Sequence, residues 1–261
     1  MGPQKSTKGT NRSIFCAFCA FLWLLPVVTL PQELTPAQLE IQKQQQRLSS
    51  SDLEERRDAI MRLGSMRLPA ASRAALPALK DESPMVRATA AKAILSLDPE
   101  ESVGYLVPLL NDKDEFVRRE TAYALGFTHS RSATAALSER LLNDKEDGVR
   151  GAAAVALGQI ADEAAVVALV GALEQKRKPN VFVLRAAASA LGQIKSRAGT
   201  PALIAALSNE KLPSDVRREA ARSLGLIGDP AAVSALKAAS TSEDPYLSQI
   251  AYEALKKLGH G

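Results

Sequence analysis

Three stretches of the sequence carry the same pattern: VRRETAYALGF at 117–127, VRGAAAVALGQI at 149–160 and VRREAARSLGLIG at 216–228. In each stretch an arginine stands eight residues before a glycine, and the apolar residues between them recur at intervals of three and four. That spacing places the apolar side chains on one face of an α-helix. The pattern therefore predicts three similar amphipathic helices.

The same phase extends over most of the chain. The equivalent positions are 56, 87, 118, 150, 184, 217 and 248, which lie 31 to 34 residues apart. A second apolar run separates successive copies, for example at 164–173, so each unit consists of two helices. Because one helical hairpin of this size cannot bury its apolar face alone, the copies should stack on one another. The sequence predicts an all-α, right-handed solenoid of about seven helical hairpins over residues 35–261.

Capping residues support these boundaries. Thr35, Ser51 and Asp98 each combine a helix-capping side chain with an acid or amide three positions later, which is typical of helix starts. We expect the glycine that ends each ALG or SLG motif, such as Gly126 and Gly158, to allow a tight turn near the end of the second helix.

The motif D-P-x-V-R-x-x-A-A-x-A-L-G-x-I resembles the HEAT-like repeat of phycobilisome lyase subunits over about 52–258. Its closest matches are EDGVRGAAAVALGQI, which ends at Ile160, and SDVRREAARSLGLIGDPAAV, which ends at Val233. The resemblance implies that the second helix of each unit lines a concave surface. It is weak evidence of function, because similar repeats occur in scaffolds, chromophore lyases and nucleic-acid enzymes.

Two rows of side chains follow from this register. The repeated arginine and the acids near it suit a hydrogen-bonded ladder between adjacent units, with these members: Arg56, Arg87, Arg118, Arg150 and Arg217. The resemblance implies that residues one, two and five positions after the ladder arginine can face the concave surface. We predict a partner-binding strip there, made of Arg119, Tyr123, Arg185, Arg218 and Arg222. The alternative is an ordinary solvated helix face of mixed charge.

Composition narrows the function classes. Both cysteines lie at 16 and 19, and only His129 and His260 are histidines, so we predict no metal site, no cofactor and no catalytic residue set, and hence a chain that is not an enzyme. Outside the first thirty residues, 30 basic residues face 29 acidic ones. That balance disfavours nucleic acid as a partner.

Residues 1–34 have the layout of an export signal. Three basic residues precede the uncharged run Ile14–Leu30, which is 17 residues long and therefore fits either a cleaved signal peptide or an N-terminal membrane anchor. In both cases the rest of the chain would lie outside the cytoplasm, in the periplasm or secreted. We expect membrane contact only through residues 14–30.

The leading functional hypothesis is a non-enzymatic scaffold or adaptor outside the cytoplasm that binds a protein partner on its concave face. The alternative, suggested by the family resemblance alone, is an auxiliary protein like the tetrapyrrole (bilin) lyases. Nucleic-acid binding is the third hypothesis.

Overall fold

A computed structural model of the protein describes residues 33–174 and 180–260, and the predicted leader therefore lies almost entirely outside the described residues. Fourteen α-helices and no strands occur in the described ranges. The helices are α1 Pro36–Arg47, α2 Leu53–Ser65, α3 Pro69–Ala75, α4 Pro84–Ala93, α5 Pro99–Leu106, α6 Glu115–Thr128, α7 Thr134–Asn143, α8 Asp147–Ile160, α9 Val166–Leu173, α10 Val181–Ile194, α11 Thr200–Ser208, α12 Ser214–Ile227, α13 Val233–Ala239 and α14 Pro245–Lys257.

Successive helices pair as seven hairpins that stack into a two-layered α-solenoid, as the repeat predicts. The odd-numbered helices form layer A and the even-numbered helices form layer B. Buried alanine, leucine and valine side chains from both layers make one continuous core along the stack. In α3 and α5 the last turn becomes a 3₁₀ helix at Pro77 and Pro108, because proline removes a backbone donor and clashes with the preceding turn.

The predicted helix starts at Thr35 and Asp98 are confirmed, but the predicted role of the glycines is wrong. Thr35 forms a capping box with Gln38, and Asp98 accepts a hydrogen bond from the first turn of α5. Helix α2 is capped one residue later than predicted, by Asp52 instead of Ser51. The glycines of the ALG and SLG motifs lie inside the helices, three residues before the left-handed residue at the C-terminal end of each helix. Those C-terminal caps are His129, Ala161, Lys195 and Gly228.

The repeated glycines instead form the contacts between neighbouring helices of layer B. A Cβ atom added at Gly192 would lie 2.9 Å from the Cα of Ser223, and one added at Gly126 would lie 2.9 Å from the Cα of Ala156. Helix backbones therefore touch without intervening side chains. Neighbouring helices pack more closely in layer B than in layer A. From this closer packing and from the family resemblance we infer that layer B is the concave side of the stack.

The arginine ladder joins the first four repeats. Arg118 donates from Nε and Nη2 to both carboxylate oxygens of Asp144, at 2.8 and 3.0 Å, and from Nη1 to the Asp112 carbonyl at 2.9 Å. The side chains of this pair are only 6% and 2% exposed. Equivalent bidentate pairs join Arg56 to Asp81 and Arg87 to Asp112.

The ladder does not continue as predicted beyond Arg118. Arg150 bonds within its own loop, to Asp147 and to the Asp144 carbonyl, and finds no acid from the next unit among the described residues. Arg217 donates to the Leu207 carbonyl at 3.0 Å. Its predicted place in the ladder is wrong, because the neighbouring arginine takes the acid of the following repeat.

That neighbour is Arg218, which pairs with both carboxylate oxygens of Asp244 at 3.0 and 2.9 Å. Ser248 and Leu184 occupy the two remaining ladder positions. Ser248 donates to the Ser240 carbonyl, and Leu184 is buried in the core. Helices α8 and α10 pack as closely as the other neighbouring helices of layer B.

We expect Gly192→Ala to lower the free energy of unfolding by about 1–3 kcal/mol, because the new methyl group overlaps the Ser223 backbone. The matched control is Gly104→Ala in α5, where a Cβ meets nothing within 4 Å. Alanine has the higher helix propensity, so this control should raise stability by about 0.5–1 kcal/mol. Urea unfolding of both variants measures the difference, and the same sign in both would contradict the packing role.

We expect Arg118→Ala to destabilise the fold by roughly 3 kcal/mol, because Asp144 would remain buried without its partner. The control is Arg62→Ala, whose side chain is mostly exposed and which should leave stability nearly unchanged. Denaturant titration at pH 7 compares the two, and equal losses would mean that the ladder carries no special stability.

Lowering the pH should remove the stabilisation of the fold that the Arg118–Asp144 pair provides. Burial alone would raise the pKa of Asp144, but the hydrogen bonds from Arg118 and from the Glu146 N–H outweigh it and lower that pKa. The unfolded chain therefore binds the proton first, near its ordinary pKa of about 3.9. Stability is complete above that pH and falls as the pH drops through the folded pKa. Asp144→Asn should flatten this decline, whereas Glu210→Gln, at an exposed loop position, should preserve it.

Candidate functional site

A row of large side chains runs along the concave face of α6. Phe116, Arg119, Tyr123 and Phe127 follow one another at helical spacing, and Phe127 is 56% exposed. The Arg119 guanidinium lies 5.2 Å from the centre of the Phe116 ring. Helix α6 therefore presents two of the predicted binding residues, Arg119 and Tyr123, together with two aromatic rings that the sequence-based prediction did not include.

The helices on either side of α6 carry small residues level with Arg119. These are Ala88 on α4 and Gly151 on α8, and α8 also has Gly148 level with Phe116. Gly148 lies beside the Arg119 side chain, and Gly151 leaves the space that the Phe182 ring of α10 occupies. Arg119 therefore has small residues beside it on both flanking helices.

A groove of about 460 Å³ lies between α2, α4 and α6. The groove runs along α4, which has only ten residues, whereas α6, α8, α10 and α12 have fourteen each. The helix ends at Ala93, two residues before Leu95, which stands where other repeats have glycine. The lining residues are Ile60, Met61, Gly64, Ser65, Arg67, Ala88, Thr89, Lys92, Ala93, Phe116 and Glu120.

Positive charge predominates at the rim of this groove. Lys92 Nζ lies 2.6 Å from a Glu120 carboxylate oxygen, and Arg119 Nε lies 3.5 Å from the other oxygen of that group. Arg67 is exposed, has the left-handed φ of 51° and makes no side-chain hydrogen bond or ion pair within the described part of the chain. Two cations thus lie within ion-pair distance of one carboxylate, and Arg67 adds a third positive charge at the groove.

The other predicted binding residues lie farther along layer B. Arg185 on α10 is exposed and has no ion pair among the described residues, whereas Arg222 on α12 pairs with Glu219 at 2.6 Å. Arg218 is committed to Asp244 and stacks 5.0 Å from the centre of the Tyr246 ring. The five residues therefore occupy three helices, and α8 separates the first two from the rest.

Sequence reasoning missed Met61 and Lys92, although the signal was present. Both stand five positions after a ladder arginine, as Tyr123 and Arg222 do. Phe116 lies two positions before the ladder, where the repeat alone gave no reason to search. The groove lies along α4, and the sequence pattern did not indicate that this helix ends early, at Ala93.

The described ranges contain no group of three or more acidic, histidine or cysteine residues arranged to hold a metal ion. None of the helices in those ranges combines the length and the hydrophobicity needed to cross a membrane. The predicted signal or anchor segment at 14–30 falls outside that search.

Comparisons with solved structures place this architecture among known solenoids. The complex of CpcE and CpcF of phycocyanin lyase from Nostoc sp. PCC7120 is 27% identical, with 90% of each chain covered and a TM-score of 0.51. E. coli YibA is 21% identical over 86% of this chain and 82% of its own, with a TM-score of 0.59. Human deoxyhypusine hydroxylase is 21% identical over 85% and 97%, with a TM-score of 0.44. A comparison with curated proteins finds no match.

The prediction that the chain is not an enzyme is overturned by this likeness. A structure described as phycocyanin lyase has the same fold at 27% identity over nine-tenths of both chains. The prediction relied on missing catalytic motifs, which are short and local. A solenoid can also bring together functional groups from separate repeats, and a motif search does not detect such an arrangement.

The sequence also matches a family model directly. The model for HEAT repeats matches residues 41–126, 73–158, 106–181 and 173–256, so that its overlapping matches span nearly all of the stacked helices. The chain belongs to the HEAT repeat family.

Proposed function

We propose that this protein is a scaffold that binds a protein partner on the concave face of layer B. The observation that carries the proposal is the row on α6, where the aromatic side chains Phe116, Tyr123 and Phe127 stand on one helix face with Arg119. Aromatic residues and arginine are enriched among the residues that dominate binding energies in protein interfaces.

The proposed binding strip consists of Arg119, Tyr123, Arg185, Arg218 and Arg222. Arg119 and Arg185 offer guanidinium donors to a partner, since neither is held in a bidentate pair among the described residues. Arg218 has a second role in joining the last two repeats through Asp244. A test of binding should therefore leave Arg218 unchanged.

We also propose that the partner is met outside the cytoplasm, in the periplasm or after secretion. The support is the sequence of residues 1–30, in which basic residues precede an uncharged apolar run. Protease protection of the C-terminal domain in intact cells, compared with that in lysed cells, tests this location.

Site-specific photo-crosslinking in the native cells tests the scaffold proposal. A benzoylphenylalanine replaces Phe127 on the concave face or, as the matched control, Val167 on layer A, which is 82% exposed. We expect one defined protein adduct from position 127 and none from position 167. The adduct should weaken strongly when Arg119, Arg185 and Arg222 are changed to glutamate, with helicity preserved.

Equal crosslinking from both positions, or an adduct unaffected by the three charge reversals, would contradict binding on this face. Circular dichroism of each variant separates lost binding from lost folding, since an intact solenoid keeps its helical signal.

A bilin-binding auxiliary role is the second candidate, and the likeness to the phycocyanin lyase complex favours it. The groove volume of about 460 Å³ lies in the range of small-molecule sites, and Arg67 and Lys92 could pair with the propionate groups of a linear tetrapyrrole. Titration of the protein with biliverdin tests this. A shifted absorption band that Thr89→Trp abolishes would support the role, and an unchanged spectrum would eliminate it.

A further inference from the structure

We infer that the groove between α2, α4 and α6 receives an acidic segment of a protein partner that carries a large apolar side chain. This inference rests on the proposed scaffold function and specifies the chemistry of what the concave face binds. It follows from the floor of the groove, the charges at its rim and the way in which neighbouring acids are already paired.

The floor of the groove is apolar and partly open to solvent. Ile60 is fully buried beneath it, Met61 is 47% exposed and the Phe116 ring forms one wall. Methionine adapts its unbranched side chain to different ligand shapes. An apolar side chain that enters here would cover Met61 and leave water, which is a favourable transfer.

The rim complements negative charge. Glu120 is the one acid lining the groove, and it lies within ion-pair distance of both Lys92 and Arg119. One carboxylate cannot use all the donors of two cations, because lysine has three and arginine five. Together with Arg67, these cations can bind carboxylates of a partner without giving up the contacts to Glu120.

The acids of α2 near the groove do not cancel this charge. Asp58 accepts hydrogen bonds from Arg47 and Arg62, and Glu54 accepts one from Arg57. Each of these carboxylates is thus neutralised by an arginine outside the groove. The groove lining therefore has two cations, Arg67 and Lys92, and one acid, Glu120.

A displayed library of random peptides of about twelve residues tests the inference, with the full chain tagged at its C terminus as bait. We expect enriched peptides to have net negative charge and at least one Leu, Met, Phe or Trp. The affinity of an enriched peptide, measured by fluorescence anisotropy, should weaken as salt rises from about 0.05 to 0.5 M.

Two variants test the site itself. Arg67→Glu combined with Lys92→Glu should weaken binding of the enriched peptide by about tenfold or more, because it reverses two rim charges. Thr89→Trp should abolish binding by filling the groove. The control is Lys237→Glu on α13 of layer A, an exposed position outside the groove and outside the binding strip, which should leave this affinity unchanged.

Three outcomes would overturn the inference: enrichment of neutral or basic peptides, equal binding by wild type and both groove variants, or binding of phosphatidylglycerol vesicles in preference to every acidic peptide. If position 127 gives a defined adduct and one of these three outcomes is also observed, the inference about the groove is wrong and the scaffold proposal still stands. Absence of the adduct would count against the scaffold proposal itself.

Discussion

The contact on which the rest of the solenoid depends is the one between a glycine of one layer B helix and an alanine or serine of the next. At these points the backbones approach so closely that a single added Cβ would overlap a neighbouring Cα. The approach brings layer B together more tightly than layer A and so determines which side is concave. All five residues of the proposed binding strip lie on the layer that these contacts organise.

Glycine contacts alone do not fix the angle between repeats, because small residues allow helices to slide. The arginine ladder fixes the relative orientation of neighbouring repeats, which packing between small residues leaves free. Arg118 bonds two carbonyls of its own loop and both oxygens of Asp144 in the next, so that its planar guanidinium holds consecutive loops in one orientation. A ladder of this kind costs desolvation, and its contribution is specificity of stacking as much as stability.

The sequence was sufficient for the fold because the repeat supplies seven versions of the same evidence. Spacing and caps identified the hairpins and their number, and the family resemblance implied which helices line the concave surface, where the binding strip is predicted. Details that depend on one copy were less accessible. Arg217 and Arg218 are adjacent arginines, and only the three-dimensional position of Asp244 decides which of them joins the ladder. Likewise, glycine before a helix end suggests a turn, although here it serves packing three residues earlier.

The groove of the candidate site lies at α4, where the sequence and the helix length differ from those of the other repeats. In α4 the helix ends at Ala93, and Leu95 stands in place of the packing glycine, so that α4 cannot extend along α6 as other helices extend along their neighbours. The groove lies along this shortened helix, and Lys92 on its last turn reaches Glu120. The apolar floor of the groove is partly open to solvent and has charges at its edge, so that the proposed partner would recognise it by both shape and charge.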